Sequence, residues 1–352
     1  MRAFPTTIGA GGDIGLAQQH IDVPVSVQAR PHSFTPSGWF PMLQKIQEVA
    51  MQIGAIVVGK PRQIRLTLAC LFARGHLLLE DLPGVGKTTL AHTLARSLGL
   101  DYKRIQFTND LLPADITGSS VYQRQEQRFS FMPGPVFTQM LLADEINRAS
   151  PKTQSALLEV MEESRVTVDG VAHETGRPFM VIATQNPVEQ AGTYPLPEAQ
   201  LDRFLVKTSV GYPQNAAGVE ILKGAASPDR SKDLPPVIST SAVDEMSRRA
   251  ANNFASEAVL GYVQNLVEAT RASKDVRVGV STRGAISMVR AVRVWALSQG
   301  RNYVLPDDVK ALAHVVWDHR LVLDPDAEFA GATREAVVER ALEEVPAPTL
   351  RK

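Results

Sequence analysis

The segment Leu77-Leu78-Leu79-Glu80-Asp81-Leu82-Pro83-Gly84-Val85-Gly86-Lys87-Thr88-Thr89-Leu90 constrains this chain more than any other. A short apolar run reads as a buried strand, the glycines make a tight loop, and a helical pattern opens near Lys87. The same residues carry chemistry. A phosphate needs backbone N–H groups turned inward, and Gly84 and Gly86, spaced by Val85 after Pro83, let the chain curl closely around it. The helix that follows turns its positive end toward the same anion, with Thr89 in its first turn. Lys87 is expected to reach the β- and γ-phosphates of ATP, and the Thr88 hydroxyl to ligate Mg²⁺. Asp81 stands where the strict G-x₄-G-K-[ST] pattern has its first glycine, so the shape of the loop's first turn is open while its inner half is intact. The bland alternative is a Gly-rich strand–helix turn that holds no nucleotide.

Five short apolar runs, at 76–80, 102–107, 140–144, 179–184 and 204–209, alternate with longer helical or irregular stretches. Apolar strands flanked by helices indicate an α/β fold with a mainly parallel sheet covered on both faces. Ahead of them, Met42, Ile46, Val49, Ala50 and Ile53 fall at helical spacing up to Gly54, and a second helix is expected over 60–73. After Gly211-Tyr212-Pro213 the strand signals stop. Helices are expected at 241–254, 256–272, 283–297 and 306–316, which makes a smaller all-helical second domain. The expected organisation is a poorly ordered leader at 1–37, a core at 38–213, a helical domain at 214–340 and a tail at 341–352.

Lys+Arg 37 against Asp+Glu 37 leaves no formal net charge, so no global field draws the chain to nucleic acid or anionic lipid. The single cysteine, Cys70, rules out an intrachain disulfide framework and a Cys-based metal centre, and its apolar neighbours mark it as a buried thiol. The N-terminus lacks an unbroken apolar stretch and no run of about eighteen apolar residues occurs, so a cytoplasmic protein is expected.

Three further segments add chemistry. Met140-Leu141-Leu142-Ala143-Asp144-Glu145 is an apolar strand ending in two carboxylates. Asp144 suits the water shell of Mg²⁺, which prefers oxygen ligands, and Glu145 suits a general base for the attacking water. The alternative is that Asp144-Glu145 only begins the next helix. Phe179-Met180-Val181-Ile182-Ala183-Thr184-Gln185-Asn186-Pro187 is another buried strand ending in polar residues, where Asn186 could orient the water or, with Pro187, simply end the strand. Arg203, in Leu201-Asp202-Arg203-Phe204, precedes the last strand and lies too far along the sheet to serve its own nucleotide easily. Offered across a subunit boundary, such an arginine stabilises charge on a transferring phosphoryl group. Its alternative is a surface pair with Asp202 of little energetic weight.

Together these segments resemble the AAA+ superfamily, and specifically the MoxR family of AAA+ ATPases, over residues 40–330. The phrases that carry the resemblance are Val57-Val58-Gly59-Lys60, ED followed by PGVGKT over 80–88, Ala143-Asp144-Glu145-Ile146-Asn147-Arg148-Ala149, ATQNP over 183–187 and PEAQLDRF over 197–204. The resemblance implies a ring of subunits, usually a hexamer, with ATP and Mg²⁺ bound between neighbours. It implies that Asn186 is the sensor 1 residue, Arg203 the arginine finger, and Val57, Val58 and Gly59 the adenine lining. In Ser281-Thr282-Arg283-Gly284 it implies that Arg283 is the sensor 2 residue, reaching the γ-phosphate of its own subunit. It also identifies 117–135 as a hairpin insertion and Arg165-Val166-Thr167-Val168-Asp169-Gly170-Val171 as a second hairpin, whose Asp-Gly turn is itself a strong local signal. Such hairpins face a pore or a client, or merely brace the ring.

The resemblance implies a chaperone-like ATPase that remodels or activates protein clients, often proteins with von Willebrand factor A domains. The alternative is a DNA-dependent motor of the helicase-like clade. Zero net charge counts against it, and 122–131 shows Arg124 and Arg128 offset only by Glu126, without the aromatic interleaving of a stacking platform. A scaffold that binds ATP with little turnover is disfavoured by Glu145.

Overall fold

Alternate residues of each central strand feed opposite sides of one sheet, and this alternation builds the molecule. In the computed structural model, which describes residues 40–188, 192–224 and 234–349, Leu77 and Leu79 join one apolar core while Leu78 joins another. Met140 and Leu142 split from Leu141 and Ala143 in the same way, as do Met180 and Ile182 from Val181 and Ala183. Period-2 side chains on a sheet covered on both faces require this.

The chain runs α1 (Phe40–Gly54), α2 (Pro61–Phe72), β1 (Leu77–Glu80), α3 (Lys87–Ser97), β2 (Tyr102–Gln106), α4 (Pro113–Thr117), β3 (Gly118–Gln123), β4 (Arg128–Pro133), β5 (Met140–Asp144), α5 (Pro151–Glu163), β6 (Arg165–Val168), β7 (Val171–Glu174), β8 (Met180–Gln185), α6 (Glu198–Leu201) and β9 (Val206–Thr208). Strands β2-β5-β8-β1-β9 form a parallel five-stranded sheet in that order. The five expected runs therefore become its five strands. β3 pairs antiparallel with β4 and β6 with β7, giving the two expected hairpins. Asp169 and Gly170 turn the second one at φ 50° and 78°, as a two-residue hairpin loop needs.

Beyond the sheet come α7 (Asn215–Gly224), α8 (Thr240–Ala251), α9 (Glu257–Ala272), β10 (Val276–Val278), α10 (Thr282–Ser298), α11 (Pro306–Trp317), β11 (Val322–Leu323), α12 (Pro325–Phe329) and α13 (Arg334–Glu344). Helix starts are fixed by side chains: Ser239, Ser256, Ser281 and Thr333 each accept a backbone N–H of the first turn. The helical domain also carries a two-stranded ribbon, β10 against β11, of three and two residues, too short for any periodicity to announce it. α13 runs past position 340, with Ala341 buried, so the expected boundary of the tail cuts through a helix. The expected leader lies outside the described residues. Among the described residues, no helix is long and apolar enough to cross a membrane.

Candidate functional site

The C-terminal ends of β1, β5 and β8 lie side by side at one end of the sheet, and the loop, Asp144, Glu145 and Asn186 collect there. Gly84 and Gly86 hold φ of 81° and 93°, where an L side chain is strained, and a Cβ at either would meet no atom within 4 Å. The loop thus has both the conformation and the open space an anion cradle requires. Lys87 folds back across it, its Nζ donating to the carbonyls of Asp81 and Leu82 at 2.9 and 3.2 Å. Thr88 and Thr89 are exposed on the first turn of α3, while Pro83 is exposed and Val85 half-buried on the loop.

Asp81, the departure from the glycine pattern, has a definite function in the fold. Its buried carboxylate accepts the backbone N–H groups of Val210 and Gly211 at 2.5 and 2.9 Å. Its neighbour Glu80 pairs with Lys207 at 2.9 Å. The acidic pair before the loop therefore ties the loop's base to β9 and to the chain leading out of the sheet.

Asp144 and Glu145 end β5. Asp144 Oδ1 accepts from the Thr184 hydroxyl at 2.6 Å, and Oδ2 accepts from Arg104 Nη2 at 2.7 Å. Glu145 adopts a left-handed backbone, φ 56°, that turns its side chain away from the strand line. Its Oε2 accepts from Gln106 Nε2 at 2.7 Å and Arg148 Nη1 at 3.1 Å. Strand β2, next in the sheet, thus supplies a partner to each carboxylate: Arg104 sits beside Asp144 and Gln106 beside Glu145. Asn186 follows β8 directly, half-buried, its Oδ1 accepting from the Val188 N–H. The donor set near the loop, the Thr88 hydroxyl and the Asp144 carboxylate, is all oxygen and suits Mg²⁺. Among the described residues no group of three or more His, Cys, Asp or Glu could hold a metal, so an ion here would complete its shell with phosphate and water.

Val57 is buried in the main apolar core and Val58 is half-buried. Gly59, at φ 75°, lies where a Cβ would come within 2.6 Å of Ala217 in α7. This segment accordingly packs under the start of the chain that leaves the sheet. Lys60 Nζ donates to the Tyr212 carbonyl at 2.7 Å.

The two arginines are elsewhere. Leu205 N–H donates to the His76 carbonyl, so the approach to β9 lies at the N-terminal end of β1, opposite its loop. There Arg203 Nε stands 3.1 Å from Glu162 Oε2, and Arg283 Nη2 donates to Glu162 Oε1. A cavity of about 560 Å³ opens beside them, also lined by Arg74, Arg177, Arg290 and His76. Arg283 therefore does not reach toward the loop of its own protomer, where the resemblance puts it; instead it shares one carboxylate with Arg203 at the far end of the sheet. Asp202 does not pair with Arg203 either. Its carboxylate accepts from Arg320 Nε at 2.7 Å and the Ser281 hydroxyl at 3.2 Å. Arg320 is buried, and burial holds its guanidinium down to about 10. Burial also lowers His76 to about 4; its ring joins the Met161 carbonyl and the Val181 N–H at 3.0 Å each, as a neutral imidazole does.

This arrangement has close counterparts. The profile of the ATPase family associated with various cellular activities (AAA) matches residues 76–206, and that of the AAA lid domain matches residues 268–341. Chaperone MoxR1 of Mycobacterium tuberculosis is 41% identical over 313 residues, 86% of this chain and 82% of that protein. The chain belongs to the MoxR family of AAA+ ATPases. YeaC of Bacillus subtilis, which has no assigned role, is 47% identical over 88% of this chain and 96% of its own length. A solved structure of a candidate ATPase from Cytophaga hutchinsonii, 37% identical, superposes with a TM-score of 0.83 over 88% of this chain and 97% of that one.

As a MoxR-family AAA+ ATPase, the chain binds nucleotide and hydrolyses ATP with a P-loop core followed by a helical lid. Sequence reasoning missed Arg104, Gln106, Thr184 and Glu162. Gln106 and Arg104 lie on β2, which the sequence offered only as one of five short apolar runs, and the sheet order is what puts that strand beside β5. For Glu162 the sequence carried no signal, since its partners lie far along the chain.

Proposed function

We propose that this ATPase works in the cytoplasm as a ring of identical subunits, a hexamer, and uses hydrolysis to remodel or activate a protein client. The observation that carries this reading is the separation of charge along one sheet. The loop lies at one end of β1 and Arg203 near the other, so an arginine suited to phosphoryl transfer reaches only a neighbour's nucleotide. Arg283, bound to the same carboxylate as Arg203, acts on that neighbour too.

In each composite site the N–H groups of the loop at Gly84, Val85 and Gly86 and the Lys87 ammonium hold the phosphates. Thr88 and Asp144 hold Mg²⁺, which when bound neutralises phosphate charge. Glu145 takes the proton of the attacking water and Asn186 orients that water. Val57, Val58 and Gly59 enclose the adenine. The relative named Chaperone MoxR1 supports a protein client, and the wider family suggests a protein with a von Willebrand factor A domain.

Mixing subunits tests the shared site. Arg203→Ala and Glu145→Gln each lose turnover alone, by about 10³-fold for the arginine. In mixtures an intact Glu145 meets an intact Arg203, and part of the activity returns. Mixtures as inactive as their components at every ratio would sink the composite site. Proteins copurifying with the Glu145→Gln variant identify the client.

One observation favours a DNA motor as the second reading. Across the first hairpin, Tyr122 and Phe129 lie opposite each other, ring centroids 5.3 Å apart and both exposed, so pairing supplies the aromatic platform that the linear order of residues hides. Arg128 beside them is already paired with Glu126 at 2.6 Å. ATPase stimulation by DNA at physiological salt would reverse the ranking of the two readings.

A further inference from the structure

Glu162 ends α5 between two guanidinium groups that arrive from distant parts of the chain. Its Oε2 lies 3.1 Å from Arg203 Nε, and its Oε1 accepts a hydrogen bond from Arg283 Nη2. These contacts contribute little to holding the fold. The side chains of Arg203, Glu162 and Arg283 are 29%, 38% and 48% exposed, and exposed ion pairs are worth little. The corner is anchored instead by Asp202, which binds buried Arg320 and the Ser281 hydroxyl that caps α10.

What Glu162 does is electrostatic. Two like charges brought to one point repel, and Arg283 bears an additional penalty in the first turn of α10, at the positive end of the helix dipole. One carboxylate between them offsets the repulsion and fixes their spacing, yet leaves the group with a net positive charge. The hold on Arg203 is loose: its Nε makes no aligned hydrogen bond, so charge rather than direction keeps it there. A phosphoryl group offers more charge and more acceptor oxygens than a carboxylate, so it can take both arginines over.

We propose that Glu162 is the positioning residue of the arginine pair: it gathers Arg203 and Arg283 at one point and releases them together to the γ-phosphoryl group of the neighbouring protomer. This rests on the composite site argued above. When the neighbour holds ADP, the pair returns to Glu162, so the carboxylate also sets how differently the interface treats the two nucleotides.

The test uses the full chain. Glu162→Gln is expected to lower kcat about 10- to 100-fold, the range for a misplaced catalytic group, while its own intact loop keeps wild-type affinity for a fluorescent ATP analogue. Its melting temperature stays that of the wild type, and Glu162→Asp recovers most of the turnover. Mixing Glu162→Gln with Lys87→Ala subunits, which bring intact arginines but hold no nucleotide, raises turnover per Glu162→Gln loop. Wild-type kcat in Glu162→Gln alongside an inactive Arg203→Ala overturns this inference alone. Wild-type kcat in Arg203→Ala overturns it together with the composite site. A Glu162→Gln defect that mixing does not repair, or that comes with a lowered melting temperature, assigns the residue to the fold and also overturns the inference.

Discussion

The two ends of the central sheet are built by different means. At the C-terminal ends of its strands, the loop, Asp144, Glu145 and Asn186 follow one another on neighbouring strands, and backbone register alone brings them together. At the N-terminal ends, Glu162, Arg203 and Arg283 come from α5, the approach to β9 and α10, and side-chain ion pairs join them. The first end gathers, within one protomer, the residues proposed above to hold phosphate and Mg²⁺. The second is a cluster of charge holding its own counter-ion, Glu162. A protein divided this way separates affinity from rate, and that separation can be broken experimentally.

The largest effect on nucleotide affinity is expected from Lys87→Ala. The lysine crosses the loop at the binding end, so calorimetry is expected to show nucleotide affinity lost by at least about 100-fold, as for removal of a charge-assisted contact to phosphate. Arg203→Ala at the other end is the contrasting case, with affinity kept and kcat lost. If both variants lost affinity equally, the two ends would not be separate devices.

The largest effect on stability is expected from Asp202→Ala. Arg320 is buried and takes its one carboxylate from Asp202, with its remaining donors on backbone carbonyls such as Phe204 and on Ser287. Removing one partner of a buried pair leaves a charge uncompensated, at a cost of about 3–5 kcal/mol. Urea denaturation is expected to show a loss of that order, with Arg203→Ala, its exposed neighbour, within about 1 kcal/mol of wild type. Comparable losses for the two would mean that the lid–core joint and the arginine pair are one structure.

The contrast between the ends also explains what was legible in the sequence. All five strands, the loop and the Asp169-Gly170 hairpin turn were readable because strand period, glycine φ and turn chemistry are local. The Glu162–Arg283 pair spans 121 positions and the Asp81–Val210 bond 129, and no periodicity encodes such a pairing. Arg283 shows the consequence. Its helix-start position was readable, but which end of the sheet it faces depends on how the lid packs, and the family pattern gave the opposite end. Asp81 looked like a defect in a loop motif because its two backbone partners lie beyond β9.

pH acts on the far end of the sheet through its buried histidines. Burial lowers His76 to about 4 and holds His319 well below its ordinary value, so the folded chain keeps both neutral where the unfolded chain protonates them. Stability is therefore full above about pH 6.5 and is lost as pH falls from there toward 4, by roughly 3 kcal/mol for His76 once its folded-state value is passed. Asp318, raised to about 6 by burial, works in the opposite direction and offsets part of the loss. Denaturation midpoints at pH 7 and pH 5 measure the net effect. A higher midpoint at pH 5 would mean that Asp318 outweighs both histidines.

The smallest expected effect tests whether the loop end is as self-contained as its backbone register suggests. The Asp81 carboxylate accepts two N–H groups where β9 gives way to the chain leaving the sheet, while its carbonyl receives Lys87. A carboxylate holding two N–H groups, the one on Val210 buried, constrains that exit, and Asp81→Ala leaves both unpaired, at about 1–3 kcal/mol. Asp81→Asn keeps an acceptor oxygen and is expected to lose less. Neither substitution touches the carbonyl that Lys87 uses or the φ of Gly84 and Gly86, so nucleotide affinity is expected to change less than about 10-fold, in contrast to Lys87→Ala. A larger loss of affinity in Asp81→Ala, with stability intact, would show that the exit from the sheet shapes the phosphate cradle directly. The loop end would then depend on a long-range contact as much as the arginine end does.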